Sequence, residues 1–342
     1  MNDTILGACR GEEVPYTPVW ILRQSGRYLP QFRRLLNKWG FLNLCKKPEL
    51  IVEVTMLPVD LFGVDAAQAF SDILTEVEPM GMELDYSADS VPHFKNPIRT
   101  QQDVDHLVVP DAEESLGYRM EAIKMLRREL ADRVPLLGFA GGPFTVAAYM
   151  IEGGPSNRFI NTKRMMFQGT ELFHRLMRMV TALTGDYLRA QVRAGAQAVT
   201  VFDTWASILS ERDFTEYVLP YVQSIVKTLS GENAPVMYFT NGCAHLVDQI
   251  RKSGVDVLSA DWRISLDELV ARLDGKMAVQ GNLDPFALLL PVRKLEARIK
   301  EILDAGRKAR GHIFNLGDGI FPEAPLDNVA AMVEAVHNFS RR

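Results

Sequence analysis

Arg23 and Arg27 stand four residues apart in VWILRQSGRYLPQF (19–32), directly after a short apolar run. A guanidinium presents a planar fork of donors that matches a carboxylate, so two in one loop can bind two carboxylates or clamp one. Gln24, Ser25 and Gly26 between them are turn formers, and Gly26 lets backbone come close to a ligand. The competing reading is a pair of structural ion pairs with acids elsewhere. Asp72, in AFSDILTE, reads either as the N-cap of a helix over 73–78 or as a carboxylate facing a ligand's N–H donors or a developing cation. Tyr149, in TVAAYMIEGG, lies on a helix face, where core and catalytic roles are both open. Asp203 and Thr204 form a cap with its first turn, or two polar groups at a strand end.

Other chemistries find no support. There is no GxGxxG after a strand, GFAGGPF lacks that spacing, and neither GxxxxGK[ST] nor HExxH occurs. The six histidines are dispersed. Cys243 and His245 are the one close Cys/His pair, two possible zinc ligands without a third. Lys276 precedes its strand, the wrong end for a barrel Schiff base. The net charge of -5 argues against a general nucleic-acid binder. Three scattered cysteines form neither a disulfide framework nor a CxxC knuckle, which fits a reducing, cytoplasmic setting. The start, MNDTILGACRGEE, does not read as a signal peptide, and no run approaches the ~18 apolar residues of a membrane span.

The elements that must position these groups alternate. Eight apolar runs read as strands, at 19–22, 65–70, 136–140, 197–202, 236–239, 256–260, 277–280 and 312–316. Several are apolar through most of their length, as parallel strands buried on both faces are. Helical patterns lie between them at 48–61, 161–193, 211–229, 290–308 and 325–339, the first opened by Pro48 and Glu49 and the third by Ser210. The order predicts an α/β fold, a (β/α)₈ barrel formed by one domain over 1–342. The interval 85–111, with Pro92, Pro97 and Pro110, fits no βα unit and is expected as an excursion. A barrel does its chemistry where strands end. Those positions here are Arg23 and Arg27, Ser71-Asp72, Gly141-Gly142-Pro143 leading to Tyr149, Asp203-Thr204, Thr240-Asn241, Asp261, Asn282 and Asp318.

RQSGRYLPQF and GFAGGPFTVAAYMIEGG resemble the two signatures of uroporphyrinogen decarboxylases, and FSDIL, VFDTWAS, SADW, QGNLDP and HIFNLGDGI follow in that family's order and spacing. The resemblance spans essentially the whole chain. It implies a single barrel, a homodimer, no cofactor, and removal of carbon dioxide from the four acetates of uroporphyrinogen in tetrapyrrole and haem biosynthesis. By the resemblance the catalytic residues are Asp72, Arg23 and Tyr149, and the substrate-binding residues are Arg23, Gln24, Arg27, Asp72, Tyr149, Thr204 and Asp318. One position departs: the family's NLGHG is Asn315-Leu316-Gly317-Asp318-Gly319 here. An ionised carboxylate would repel an anionic substrate where an imidazole would donate to it. The expectation is retained activity with altered pH dependence. Two rivals are a zinc- and corrinoid-dependent methyltransferase of the related barrel family and a non-catalytic tetrapyrrole-binding protein. The first needs an HxC pair and a later cysteine, whereas Cys243 precedes His245 and no cysteine follows.

Overall fold

In the computed structural model, which describes residues 2–87 and 91–341, nine strands form. They are β1 (Ala67–Gln68), β2 (Leu84–Tyr86), β3 (Pro92–Phe94), β4 (Leu136–Gly141), β5 (Ala198–Phe202), β6 (Val236–Phe239), β7 (Val257–Ser259), β8 (Ala278–Gln280) and β9 (His312–Ile313). Seven of them make one parallel sheet in the order β1-β4-β5-β6-β7-β8-β9. Sequential neighbours pair throughout, as repeated right-handed crossovers with helices on the outer face require.

The run expected as the first strand, 19–22, corrects the sequence reading. Only Val19 pairs, parallel to Phe314, with Phe314 N–H donating to Pro18 O (2.8 Å) and Trp20 N–H to Phe314 O (3.4 Å). On the other side Asp65 N–H donates to Val19 O (2.8 Å), so this bridge closes the sheet between β9 and β1. The strand stops early because the chain turns: Gln24 N–H reaches back to Ile21 O (2.8 Å), and Arg23 takes a left-handed backbone with φ 60. The barrel interior holds Trp20, Leu137, Ala198, Met237, Phe239, Val257, Ala278 and Ile313, packed with Ile5 and Ala8 of the helix Thr4–Arg10.

Two long expected helices are each broken in two. The stretch 161–193 becomes Ile160–Gln168 and Thr170–Ala194, separated at Gly169, whose missing side chain lowers helix propensity. The stretch 211–229 becomes Glu211–Tyr217 and Leu219–Leu229, because Pro220 has no N–H to continue the ladder and restricts Val218–Leu219 before it. Ser210 caps as expected, accepting from Asp213 N–H (3.1 Å). The excursion is the antiparallel hairpin β2–β3 followed by short helices at Gln101–Asp105 and Ala112–Ser115; its residues 88–90 lie outside those described. Among the described residues no helix is long and apolar enough to cross a membrane.

Candidate active site

The loop after Val19 is built to hold its arginines outward. Gln24 is 1% exposed and its amide is engaged at both ends, Nε2 donating to Ala66 O (3.0 Å) and Oε1 accepting from Ile21 N–H (3.2 Å). It ties the loop to the strand beside it, so its side chain is turned away from the mouth it was expected to line. Tyr28 hydroxyl donates to Gln24 O (2.8 Å) and fixes the other side. Gly26 is required by the loop itself, since a Cβ there would lie 2.9 Å from Arg23 O. With that frame set, Arg23 and Arg27 are both exposed. Arg23 extends across Gly319, where an added Cβ would meet its Cδ at 2.4 Å.

Asp72 is half-buried and does not cap a helix over 73–78; the next turn is a 3₁₀ segment, Thr75–Met80. One carboxylate oxygen accepts from Leu74 N–H (2.8 Å), two residues on. Burial pushes its pKa above the ordinary carboxylate range, opposed by the Leu74 N–H, the Tyr86 hydroxyl and the charge of Arg23. Beneath it, Arg119 is fully buried and donates to the carbonyls of Ala69 (2.6 Å) and Phe70, the residues that lead into Ser71-Asp72. Buried Glu76 lies in the same field, its pKa pushed well up by burial and its Oε2 without a hydrogen-bond partner.

Tyr149 is carried by the helix Pro143–Glu152, and the placement of that helix explains Asp203. Asp203 is fully buried and accepts from Thr145 N–H and Thr145 hydroxyl (both 2.7 Å) and from Tyr238 hydroxyl (3.1 Å). It caps the helix start from the neighbouring strand end. Gly142 permits that approach, since a Cβ would stand 2.2 Å from the Cβ of Asp203. Tyr149 then stacks on Trp205 (3.9 Å between centroids, 22°), and Phe159 meets Trp205 edge-on. The Tyr149 pKa is raised to about 12, chiefly by burial and also by the charge of Asp72, with Arg23 opposing. Thr204, half-buried, precedes this aromatic stack.

The structure brings Arg23, Asp72 and Tyr149 within reach of one another's charge and sets Arg23 against Gly319, beside Asp318; Arg27 and Thr204 stand on loops that follow strand ends. Asp318 accepts from Asn241 Nδ2 (2.7 Å) and Gly319 N–H (2.7 Å). Cys243 and His245 do not converge: Cys243 is buried against Asp261, and His245 Nε2 lies 2.9 Å from Leu209 O. Among the described residues no three His, Cys, Asp or Glu side chains cluster as a metal site needs.

Three residues escaped the sequence reading. Tyr86 sits on β2 of the excursion, its hydroxyl buried beside Asp72 without a well-formed hydrogen bond to any described group. Arg119 and Glu76 are the other two, charged side chains buried below the strand end. A signal for Arg119 was present, since Met120, Ile123 and Leu126 place it on the border of the apolar face of Gly117–Leu130.

The chain is a parallel α/β barrel that carries exposed arginines, a partly buried carboxylate and an aromatic stack at the C-terminal ends of its strands. The chain belongs to the uroporphyrinogen decarboxylase family, whose model, Uroporphyrinogen decarboxylase (URO-D), matches residues 1–339. It is 50% identical over 340 residues to a protein of Desulfotalea psychrophila named uroporphyrinogen decarboxylase, covering 99% of each chain. It is 48% identical over 342 residues to the one of Geobacter sulfurreducens, covering 100% of each. Among solved structures, a methyltransferase from Methanosarcina mazei shares the barrel with a TM-score of 0.83, 25% identity and 98% coverage of both chains.

Proposed function

We propose that this protein decarboxylates the four acetate side chains of uroporphyrinogen III to coproporphyrinogen III, without a cofactor, as one barrel domain that works as a cytoplasmic homodimer. The observation that carries this is Asp72, a desolvated carboxylate held on one N–H, with Arg23 on one side and Tyr86 and Tyr149 near it. Losing carbon dioxide from an acetate leaves an electron pair that needs a sink. Protonating the pyrrole α-carbon makes the ring an iminium-like cation. The bond to the carboxylate carbon then breaks and its electrons flow into the ring. A second proton converts the exocyclic methylene to methyl, and the α-proton leaves.

Asp72 faces the pyrrole N–H groups and stabilises the cation where it develops, which a partly desolvated carboxylate held on the Leu74 N–H does with little reorganisation. Arg23 and Arg27 receive substrate carboxylates, and Arg23 presents the proton. Tyr149, protonated across the physiological range and braced by its stack on Trp205, meets the macrocycle and supports Asp72. Thr204 contacts a further carboxylate. Incubation with uroporphyrinogen III under anaerobic conditions, with products resolved by carboxyl count, tests the reading. Stepwise seven-, six-, five- and four-carboxylate species are expected. Tight binding with no loss of carboxylates would overturn it in favour of a non-catalytic tetrapyrrole-binding protein.

A further inference from the structure

The loops after β6, β7 and β9 carry a polar chain that the reaction above leaves unused. Asn241 follows β6, Asp261 and Arg263 follow β7, and Asp318 follows β9. Asn241 Nδ2 donates to Asp318 Oδ2 (2.7 Å), and Asn241 Oδ1 accepts from Arg263 Nη1. The same Nη1 donates to Asp261 Oδ2 (2.6 Å). Strands β7 and β8 separate β6 from β9, so the Asn241–Asp318 bond runs over the mouth, not along its rim.

This arrangement sorts donors from acceptors. Both Asp318 oxygens are engaged, one by Asn241 and one by Gly319 N–H (2.7 Å). Asp261 is fully buried and held by Cys243 N–H (3.3 Å) and Arg263. Arg263, by contrast, has half its side chain in solvent and stands 4.1 Å from the Trp262 ring, which fixes the plane of the guanidinium. Its side-chain bonds, to Asn241 and Asp261, both use Nη1; among the described residues no hydrogen bond engages Nη2 or Nε. An anion arriving at this side of the mouth meets an oriented, open guanidinium edge, while the neighbouring carboxylates are already occupied.

We propose that Arg263 is a specificity-determining residue that receives a peripheral substrate carboxylate on its Nη2/Nε edge, with Asn241 and Asp318 as its positioning residues. Resting on the decarboxylase reading, the proposal makes the mouth cationic on two sides, Arg23 with Arg27 on one and Arg263 on the other. It also gives Asp318 a task that needs no contact with substrate.

The test measures uroporphyrinogen III turnover alongside fluorescence binding of uroporphyrin, the oxidised, unreactive eight-carboxylate macrocycle. Arg263→Gln is expected to raise KM and the uroporphyrin Kd by about tenfold or more while kcat stays within about twofold, the pattern of a lost uniform binding contact. Asn241→Ala should raise both in the same direction by less. Changes below about twofold in both KM and Kd for a folded Arg263→Gln would overturn the proposal. Should Arg263→Gln fail to fold through loss of the Asp261 partner, Arg263→Lys keeps that charge pair and breaks only the fork. A rise in Kd of about threefold then supports the proposal and an unchanged Kd overturns it. If the unsubstituted protein binds uroporphyrin but turns over nothing, the decarboxylase reading fails, and the Kd comparison still decides the role of Arg263.

Discussion

Asp65 and Asp72 stand at opposite ends of one short stretch of chain, with β1 between them, and the structure treats them in opposite ways. Asp65, at the base of the barrel, is 3% exposed and gathers four groups: Val19 N–H (2.8 Å), Tyr16 hydroxyl (2.9 Å), Asn2 Nδ2 (3.0 Å) and His337 Nε2 (2.8 Å). It joins the N-terminal segment, the closing bridge and the last helix, Leu326–Ser340. Asp72, at the mouth, keeps one N–H and is otherwise surrounded by groups that act on its charge without a well-formed bond. A carboxylate with every lone pair answered holds a fold together. One left short of partners, on a backbone pinned by Arg119 from below, is available to a ligand.

Asp72→Asn attacks the mouth directly and carries the largest expected effect. It should lower kcat by roughly 100- to 1,000-fold, the scale of losing one preorganised electrostatic partner. Its melting temperature should stay close to the parent in a thermal scan. Asp65→Ala should invert that pattern. It strands His337, Tyr16 and a backbone N–H, costing about 3–5 kcal/mol in denaturant titration, with kcat of the folded fraction retained. If Asp65→Ala abolishes turnover at unchanged stability, the contrast between the two ends is wrong.

Tyr86→Phe sharpens the comparison further. The hydroxyl lowers the Asp72 pKa, so removing it lets burial push that pKa higher. Asp72 acts ionised, and activity falls as pH drops through its pKa. The acid limb of kcat/KM should therefore move to higher pH, and a shift the other way would remove Tyr86 from the site. Thr204→Ala is the smallest change, with KM expected to rise about two- to fivefold at constant kcat.

The parallel barrel was legible because strands such as 136–140 and 236–239 are apolar on both faces and end in glycine or polar residues. Its weakest point was not. The pattern of 19–22 is that of a strand, and nothing in it reports that Arg23 turns left-handed and leaves one bridging residue. The breaks at Gly169 and Pro220 were visible as residues but were overruled by long apolar periodicity. In the site, Arg23, Arg27 and Asp72 stood out by type and position at strand ends, whereas Tyr149, inside a helix, was picked out only by the resemblance. Gln24 looked equally placed, and only the fold shows that its amide is spent on Ala66 and Ile21. Tyr86 could not be found by position, since it lies on an excursion, and Arg119 on an outer helix left only the faint signal of a charge bordering an apolar face. Tyr86 reaches Asp72, and Arg119 the Ala69 and Phe70 carbonyls before it, through packing between distant segments.

The single bridge at Val19 has a consequence for how the molecule breathes. Between β4 and β5 five residue pairs are in register, whereas the closure between β9 and the N-terminal segment depends on one, Val19 with Phe314. Amide exchange should report this seam as the first part of the cylinder to open. Arg23 lies four residues past it and against Gly319, on the strand-end loop of the opposite lip. In the proposed reading, a macrocycle held by Arg23 would suture the two lips, so protection at the Trp20 amide should rise with substrate occupancy.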